Sequence, residues 1–156
     1  MTAFNIDDIT FELRPAKRED FDFAWLLYQD LMEPLTVELI GRWNEVGQIM
    51  VVKEAMIHEG TAVITLAGVD IGWLQVIESK RAIYLGQIYI HPDIQNHGIG
   101  TAILHDLIER AQREGKTLTL DVMRNNRARA LYERLGFRTV SETAHKFTME
   151  WREPAD

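Results

Sequence analysis

A chain of 156 residues is long enough to bury a sizeable core without staples and reads as one domain spanning 1–156. Seventeen Lys and Arg against 24 Asp and Glu leave a net charge of −7, which argues against nucleic acid or any other polyanionic partner. There is no Cys, hence no disulfide framework, thiolate metal site or cysteine nucleophile. No apolar run approaches membrane-spanning length and no signal-peptide pattern opens the chain, so a cytoplasmic protein without a membrane span is expected.

Thr10–Arg14 alternates apolar and polar side chains and stops at Pro15, as a first strand does. Phe21, Ala24, Trp25, Tyr28, Leu31 and Met32 recur at helical spacing, an aromatic stripe suited to core packing. Pro34 is expected to separate this helix from a second one carrying Leu35, Leu39, Ile40, Trp43 and Val46, with an interruption near Gly47. Ile49–Ile57 fits either a continued helix or an irregular lid. Thr61–Leu66 and Ile71–Ile77 read as a hairpin around the turn Ala67-Gly68-Val69-Asp70, and Ala82–Ile90 as the next strand, with Gly86 marking a bulge or a close ligand approach.

The most informative stretch follows. Pro92 ends the strand, and from Ile99 the residues Ile99, Ile103, Leu104, Leu107, Ile108 and Ala111 trace the apolar face of a long helix that Gly115 caps. Between them lies Gln95-Asn96-His97-Gly98-Ile99-Gly100. A helix start leaves backbone N–H groups unpaired and carries a partial positive charge. Glycines there let a phosphate or pyrophosphate approach the backbone. A tight strand-to-helix joint with no ligand is the other reading of the same turn. Thr117–Val122 is the next strand, Arg127–Leu135 a short helix closed by Gly136, and Phe137–Val140 and Lys146–Trp151 are the last strands. The order implies an α/β fold: a mixed, mostly antiparallel sheet of six to seven strands with helices on both faces.

Gln95-x-x-Gly98-x-Gly100 after a Pro-terminated strand resembles the acetyl-CoA loop of the GNAT N-acetyltransferase superfamily. Downstream, Asn126, Ala128, Leu131-Tyr132-Glu133 and Leu135-Gly136-Phe137 resemble that family's second signature. The resemblance runs from Leu13-Arg14-Pro15 to the terminal strands. It implies that main-chain groups of Ile88, Tyr89 and Ile90 pair with the pantetheine arm of acetyl-CoA. Loop residues Gln95, Asn96, His97, Gly98, Ile99, Gly100 and Thr101 would hold the pyrophosphate. Asn126 corresponds to the family's Asn, with Asn125 as the alternative, and the two strands flanking the cofactor would splay so that the thioester sits between Tyr89 and Val122. Tyr132 matches the family's general acid, and its other reading is a helix Tyr packed on the sheet.

The resemblance implies an N-acetyltransferase acting on a primary amine of a small molecule or a peptide. With no Cys, transfer is expected to be direct in a ternary complex, and a backbone N–H of Ile88 or Ile90 would stabilise charge on the carbonyl oxygen. Some members carry a Glu where this chain has Gly86, so the base stays open. A water oriented by Gln87, an amine delivered already neutral, Asp121, Glu78, His91 and His145 all remain. Asn96 and His97 also replace basic residues often found in the loop. His97 has no second ligand at metal spacing, and no metal site is expected. The acceptor pocket is expected from the two N-terminal helices, Trp43 to His58, Trp73 and the sheet end near His145. A homodimer through exposed strand edges fits family habit. A non-catalytic acyl-CoA sensor is the rival reading. No Gly-Lys-Ser/Thr follows the loop and the three-glycine dinucleotide fingerprint is missing, which disfavours P-loop and Rossmann sites.

Overall fold

The structure is a computed structural model describing residues 2–6 and 8–154. Period-two burial along the strands and a 3.6-residue apolar period in the longest amphipathic helix together dictate a sheet covered on two sides. Chain order is β1 (Thr2–Ile6), β2 (Ile9–Pro15), α1 (Phe21–Ile40), α2 (Glu45–Met56), β3 (Thr61–Leu66), β4 (Val69–Glu78), β5 (Ala82–Ile90), α3 (Ile99–Glu114), β6 (Thr117–Met123), α4 (Ala128–Arg134), β7 (Arg138–Glu142) and β8 (Lys146–Trp151). The strands form one eight-stranded sheet in the order β1-β2-β3-β4-β5-β6-β8-β7. Among the described residues only β5 and β6 run parallel, a junction that requires a long crossover, and α3 supplies it.

Two apolar cores lie on opposite faces. Ile99, Ile103, Leu104, Leu107 and Ala111 of α3 pack with Leu74, Leu85, Leu118 and Leu120, and Tyr132 of α4 joins them. Burying a side chain such as Ile103 stabilises by about 2 kcal/mol. On the other face Ala24, Leu27 and Tyr28 of α1 and Val52, Ala55 and Met56 of α2 enclose Trp73. That indole is fully buried and donates from Nε1 to the Ala24 carbonyl at 3.2 Å.

Three expectations need correction. Pro34 does not divide two helices: α1 runs through it to Ile40 and ends at Gly41, whose φ of 91° makes a left-handed cap. Proline's φ suits a helix, and its local cost is one backbone hydrogen bond to the Asp30 carbonyl, on an exposed part of the helix. The second helix starts instead at Glu45, where the Asn44 side chain accepts from the Gly47 N–H at 3.2 Å, so Gly47 sits in the first turn of α2. The segment left between helix and lid, Ile49–Ile57, is helical to Met56. The eighth strand, β1, pairs with β2 at the edge and escapes the pattern because its residues are mostly exposed.

Arg14, at the end of β2, joins the layers. Its guanidinium donates to both Asp20 oxygens at 3.0 and 2.8 Å and to Asp70 at 3.2 Å, and the Lys17 N–H donates to Asp20 at 2.8 Å. Arg14 is the largest cause holding the Asp20 carboxyl below its usual pKa. A depressed native pKa gives stability that is present above the unfolded pKa of about 4 and is lost as pH falls through the native value. Thermal melts should therefore shift down as pH is lowered from about 5 towards 2. Asp20→Asn should destabilise by about 2 kcal/mol at neutral pH and flatten that acid limb. An unaltered acid limb in the variant would remove Asp20 from the account.

Candidate active site

The site begins at an irregularity in β5. Val76 pairs with Leu85 and Gln75 pairs with Gln87, which leaves Gly86 as the extra residue of a bulge. The bulge shifts the strand's alternation by one. Ile83 and Leu85 face α3 before it, and Ile88 and Ile90 face that core after it, while Gln87 and Tyr89 turn to the α1 side. Pairing of β5 with β6 stops at Leu85–Leu120. Beyond that point the two strands part, and residues Gln87–Ile90 keep only their β4 partners.

Main-chain direction alternates along β5. The His91 N–H donates to the Ile71 carbonyl at 2.7 Å, so Tyr89, two residues earlier, also directs its backbone groups to β4. Those of Ile88 and Ile90 face the gap. The Ile90 carbonyl is taken by the Gln95 amide at 2.8 Å. Gln95 thereby ties the turn to the strand, and the Ile88 and Ile90 N–H groups face the opening.

The turn is built as the glycines require. Gly98, the N-cap of α3, has φ 84°, and Asn96 has φ 68°. Two left-handed residues one apart curl the backbone so that successive N–H groups converge. The first α-helical bond runs from the Ala102 N–H to the Gly98 carbonyl at 2.9 Å, so the N–H groups of Ile99, Gly100 and Thr101 have no intrahelical acceptor.

These features share one cleft of about 870 Å³. Ile88, Tyr89, Ile90, Gln95, Asn96, Gly98, Ile99, Gly100 and Thr101 line one side. Asn125, Asn126 and Tyr132 line another, and α1 roofs it with residues between Asp30 and Glu38. The side chain of His97 is exposed and His97 is not part of the lining. No group of three or more metal-ligating side chains occurs among the described residues. Tyr132 is 7% exposed and its ring packs on Phe137 at 5.7 Å between centroids. Burial pushes its hydroxyl up to about 12. It therefore stays protonated at neutral pH. Tyr89, held between Trp73 and Tyr28 at 5.0 and 5.2 Å, has its hydroxyl raised well above the usual phenol pKa by desolvation, and that hydroxyl donates to the Gln87 side chain.

The two asparagines separate. Asn126 Oδ1 accepts from the Ala128 N–H at 2.9 Å and starts α4. Asn125 reaches across the cleft: its Nδ2 donates to the Leu35 carbonyl at 3.0 Å and to Glu38 Oε1 at 2.9 Å. Both partners are acceptors, so the amide orientation is determined, and Asn125 Oδ1 is left buried without a donor.

The open base assignments also receive positions. Asp121 lies one residue past the last β5–β6 pair, outside the cleft lining. It accepts from Tyr84 Oη at 2.8 Å and from Thr148 Oγ1 at 2.6 Å. Burial first, and Asp121 second, raise Tyr84 to about 12. Glu78 is bound to Arg110 and to Lys116 away from the cleft. His91 is exposed with Nδ1 accepting from the Asp93 N–H at 3.1 Å, and His145 is exposed in the β7–β8 turn. Trp73, expected at an acceptor pocket, is wholly inside the core.

Arg127 and Arg134, which no motif above singles out, also line the cleft. They place positive charge on the cleft wall, Arg127 just before α4 and Arg134 as its last residue. The signal was present: Arg127, Leu131 and Arg134 fall at i, i+4 and i+7 on one helical face. The Asn125–Glu38 bridge had no comparable signal, since its partners are 87 residues apart.

Residues 11–137 match the sequence model of the Acetyltransferase (GNAT) family. The [ribosomal protein bS18]-alanine N-acetyltransferase of Escherichia coli is 36% identical over 84 residues, 52% of this chain and 55% of that enzyme. An uncharacterised N-acetyltransferase of Methanocaldococcus jannaschii is 36% identical over 70 residues, 44% of this chain and 31% of that protein. The chain thus spans about half the length of the first relative and under a third of the second. Among solved structures, the PaiA N-acetyltransferase of Thermoplasma acidophilum in complex with coenzyme A superposes with TM-score 0.72 at 16% identity, covering 92% of this chain and 99% of that one. Arabidopsis thaliana Naa50 in complex with the bisubstrate analogue CoA-Ac-MVNAL gives 0.64 at 14% identity, with 92% and 99% covered. At these identities the superpositions show the fold alone.

Asn125→Ala should free the C-terminal half of α1. Backbone amide exchange across Leu35–Ile40 should rise about tenfold, the loss of roughly one net hydrogen bond, with α3 unaffected. Equal protection in both proteins would mean the bridge does not hold the roof.

Proposed function

The chain belongs to the acetyltransferase (GNAT) family, and on that premise we propose that it is an acetyl-CoA-dependent N-acetyltransferase acting on a primary amine. The observation that carries the reading is the parted β5–β6 junction. It presents unpaired main-chain groups beside a helix N-terminus stripped of side chains, with a buried phenol on the third wall. The residues fit the cosubstrate in three ways. The amides of Ile99, Gly100 and Thr101 face a pyrophosphate, with Arg127 and Arg134 opposite. Ile88 and Ile90 offer the backbone groups an extended amide-bearing arm would pair with. Asn126 Nδ2 is free for a carbonyl. Acetyl-CoA, when bound, supplies a thioester whose carbonyl carbon accepts the amine.

Each remaining role belongs to this chain's groups. The N–H of Ile88 or Ile90 stabilises the carbonyl oxygen as it gains negative charge. Tyr132 gives its proton to the departing sulfur, and the burial that lifts the phenol also lifts a thiolate placed beside it, so the pair stays matched in basicity. The ammonium of the acceptor must lose a proton first. Each Asp121 oxygen accepts one hydrogen bond and retains another lone pair, which allows it to take that proton through a water from the α1 side. Gln87 orients such a water. The acceptor class supported by the names of the E. coli and Arabidopsis relatives is the amine of a peptide or protein, with a small-molecule amine as the alternative. Gly86, in place of the carboxylate some members carry, favours a second reading, a non-catalytic acyl-CoA sensor.

Two measurements decide. Gly98→Glu places an anion at the pyrophosphate position, and its Cβ meets nothing closer than Ile6 at 3.7 Å. The fold should therefore survive a left-handed side chain that costs about 1 kcal/mol. Acetyl-CoA affinity in calorimetry should fall at least about tenfold, and an unaltered affinity would sink the loop assignment. Tyr132→Phe should lower single-turnover acetyl transfer to a peptide amine by about a hundredfold with acetyl-CoA affinity within about a factor of two. An equal rate would return Tyr132 to packing. Acetyl-CoA binding by the parent protein with no transfer to any amine would leave the sensor reading.

A further inference from the structure

A surface helix in a globular protein turns its apolar stripe inward and its polar residues outward. The α1–α2 pair departs from this. Among the described residues, six of the ten exposed large apolar side chains belong to these two helices, and a seventh, Ile57, directly follows α2. Leu26, Val46, Met50 and Ile57 are 60%, 75%, 53% and 62% exposed.

The exposed residues share a surface because the helices lie antiparallel, side by side. Gln29 donates to Glu45 at 3.2 Å, Tyr28 bonds to Gln48, and Lys53 lies 5.6 Å over the Phe21 ring. That register sets Leu26 beside the Ile49–Met50 turn, with Val46 towards one end and Ile57 towards the other. Exposed apolar side chains concentrated on one helix pair of a small protein mark an interaction surface.

Charge identifies what covers it. Outside the cleft lining the two helices carry Asp22, Glu33, Glu45 and Glu54 against Lys53 alone. A second copy of the chain would bring these carboxylates against their own kind, in a protein already at net −7. Anionic lipid and nucleic acid are repelled for the same reason. We propose that the outer face of α1 and α2 docks a basic amphipathic segment of another protein, its apolar residues on Leu26, Val46 and Met50 and its Lys or Arg residues against the surrounding carboxylates. The same helix contributes Asp30, Pro34 and Glu38 to the cleft, so a docked protein is held beside the cleft mouth. The surface does not depend on acetyl transfer, and its failure would leave that reading intact.

The test uses the full chain and two fluorescein-labelled helical peptides with identical leucine positions, one with lysine on its polar face and one with glutamate. Anisotropy should show the lysine peptide binding at least tenfold more tightly than the glutamate peptide. The double variant Val46→Ser, Met50→Ser should weaken the lysine peptide at least tenfold, with melting temperature and acetyl-CoA affinity unchanged. Ile77→Ser, at an exposed apolar residue of β4, should change nothing. In the parent protein, amide resonances of α1 and α2 should shift on adding the lysine peptide, a readout that needs no variant. Equal binding of both peptides, or lysine-peptide binding indifferent to the double variant, would mean generic adhesion and overturn the proposal. Sedimentation as a dimer that the double variant dissociates would assign the face to a second copy and overturn it too.

Discussion

Everything at the site depends on a sheet that opens part-way along one strand pair. Parallel β5 and β6 pair from Ala82–Thr117 to Leu85–Leu120 and then separate. Backbone N–H and C=O groups buried away from water must find partners. The interior edge this creates at Ile88 and Ile90 is stable only because it borders a cleft where water or a ligand can reach it. Gln95 takes one of the freed carbonyls from within the chain. The extra residue at Gly86 makes the opening compatible with packing: it moves Ile88 and Ile90 onto the α3 core face and returns Tyr89 to the aromatic core under α1.

The two faces of the sheet divide the labour. On the α3 face lie fixed dipoles suited to an anion: left-handed residues at Asn96 and Gly98, amides without intrahelical acceptors at the start of α3, and the cationic side chains of Arg127 and Arg134 in the same cleft lining. Such groups need no reorganisation when a phosphate arrives, which is why an acidic protein can still present a site for a polyanion. On the α1 face Trp73, Tyr89 and Tyr28 form a dense aromatic floor, and the carboxylates Asp30 and Glu38 stand at the cleft wall. The cleft thus carries cationic side chains on one wall and carboxylates on another.

The roof is the least conventional part. α1 passes uninterrupted through Pro34, and Asn125 crosses to it from the β6–α4 loop. Joining α1, which belongs to one core, to a loop between elements of the other makes the cleft a space between two packed bodies. The buried, donorless Asn125 Oδ1 is a cost of that arrangement.

Much was legible locally. The Gln95–Gly100 turn, the α3 stripe and the Leu131–Phe137 run each depend on neighbours within a few residues, and the sequence by itself determined the family resemblance, the mixed sheet and the glycine turn that opens α3. Gly86 as a bulge was likewise readable, since a glycine inside a strand has few other uses. Pro34 misled because local propensity disfavours proline inside a helix, whereas the packing of Ala24, Leu27 and Tyr28 outweighs one lost hydrogen bond. Only tertiary structure decided which asparagine spans the cleft, that Asp121 is held by Tyr84 and Thr148, and that the apolar residues of α1 and α2 gather on one outward acidic face. Those facts join residues 27 to 90 positions apart or compare two helices, and no period along the chain encodes a meeting that the sheet's twist and the helix packing bring about.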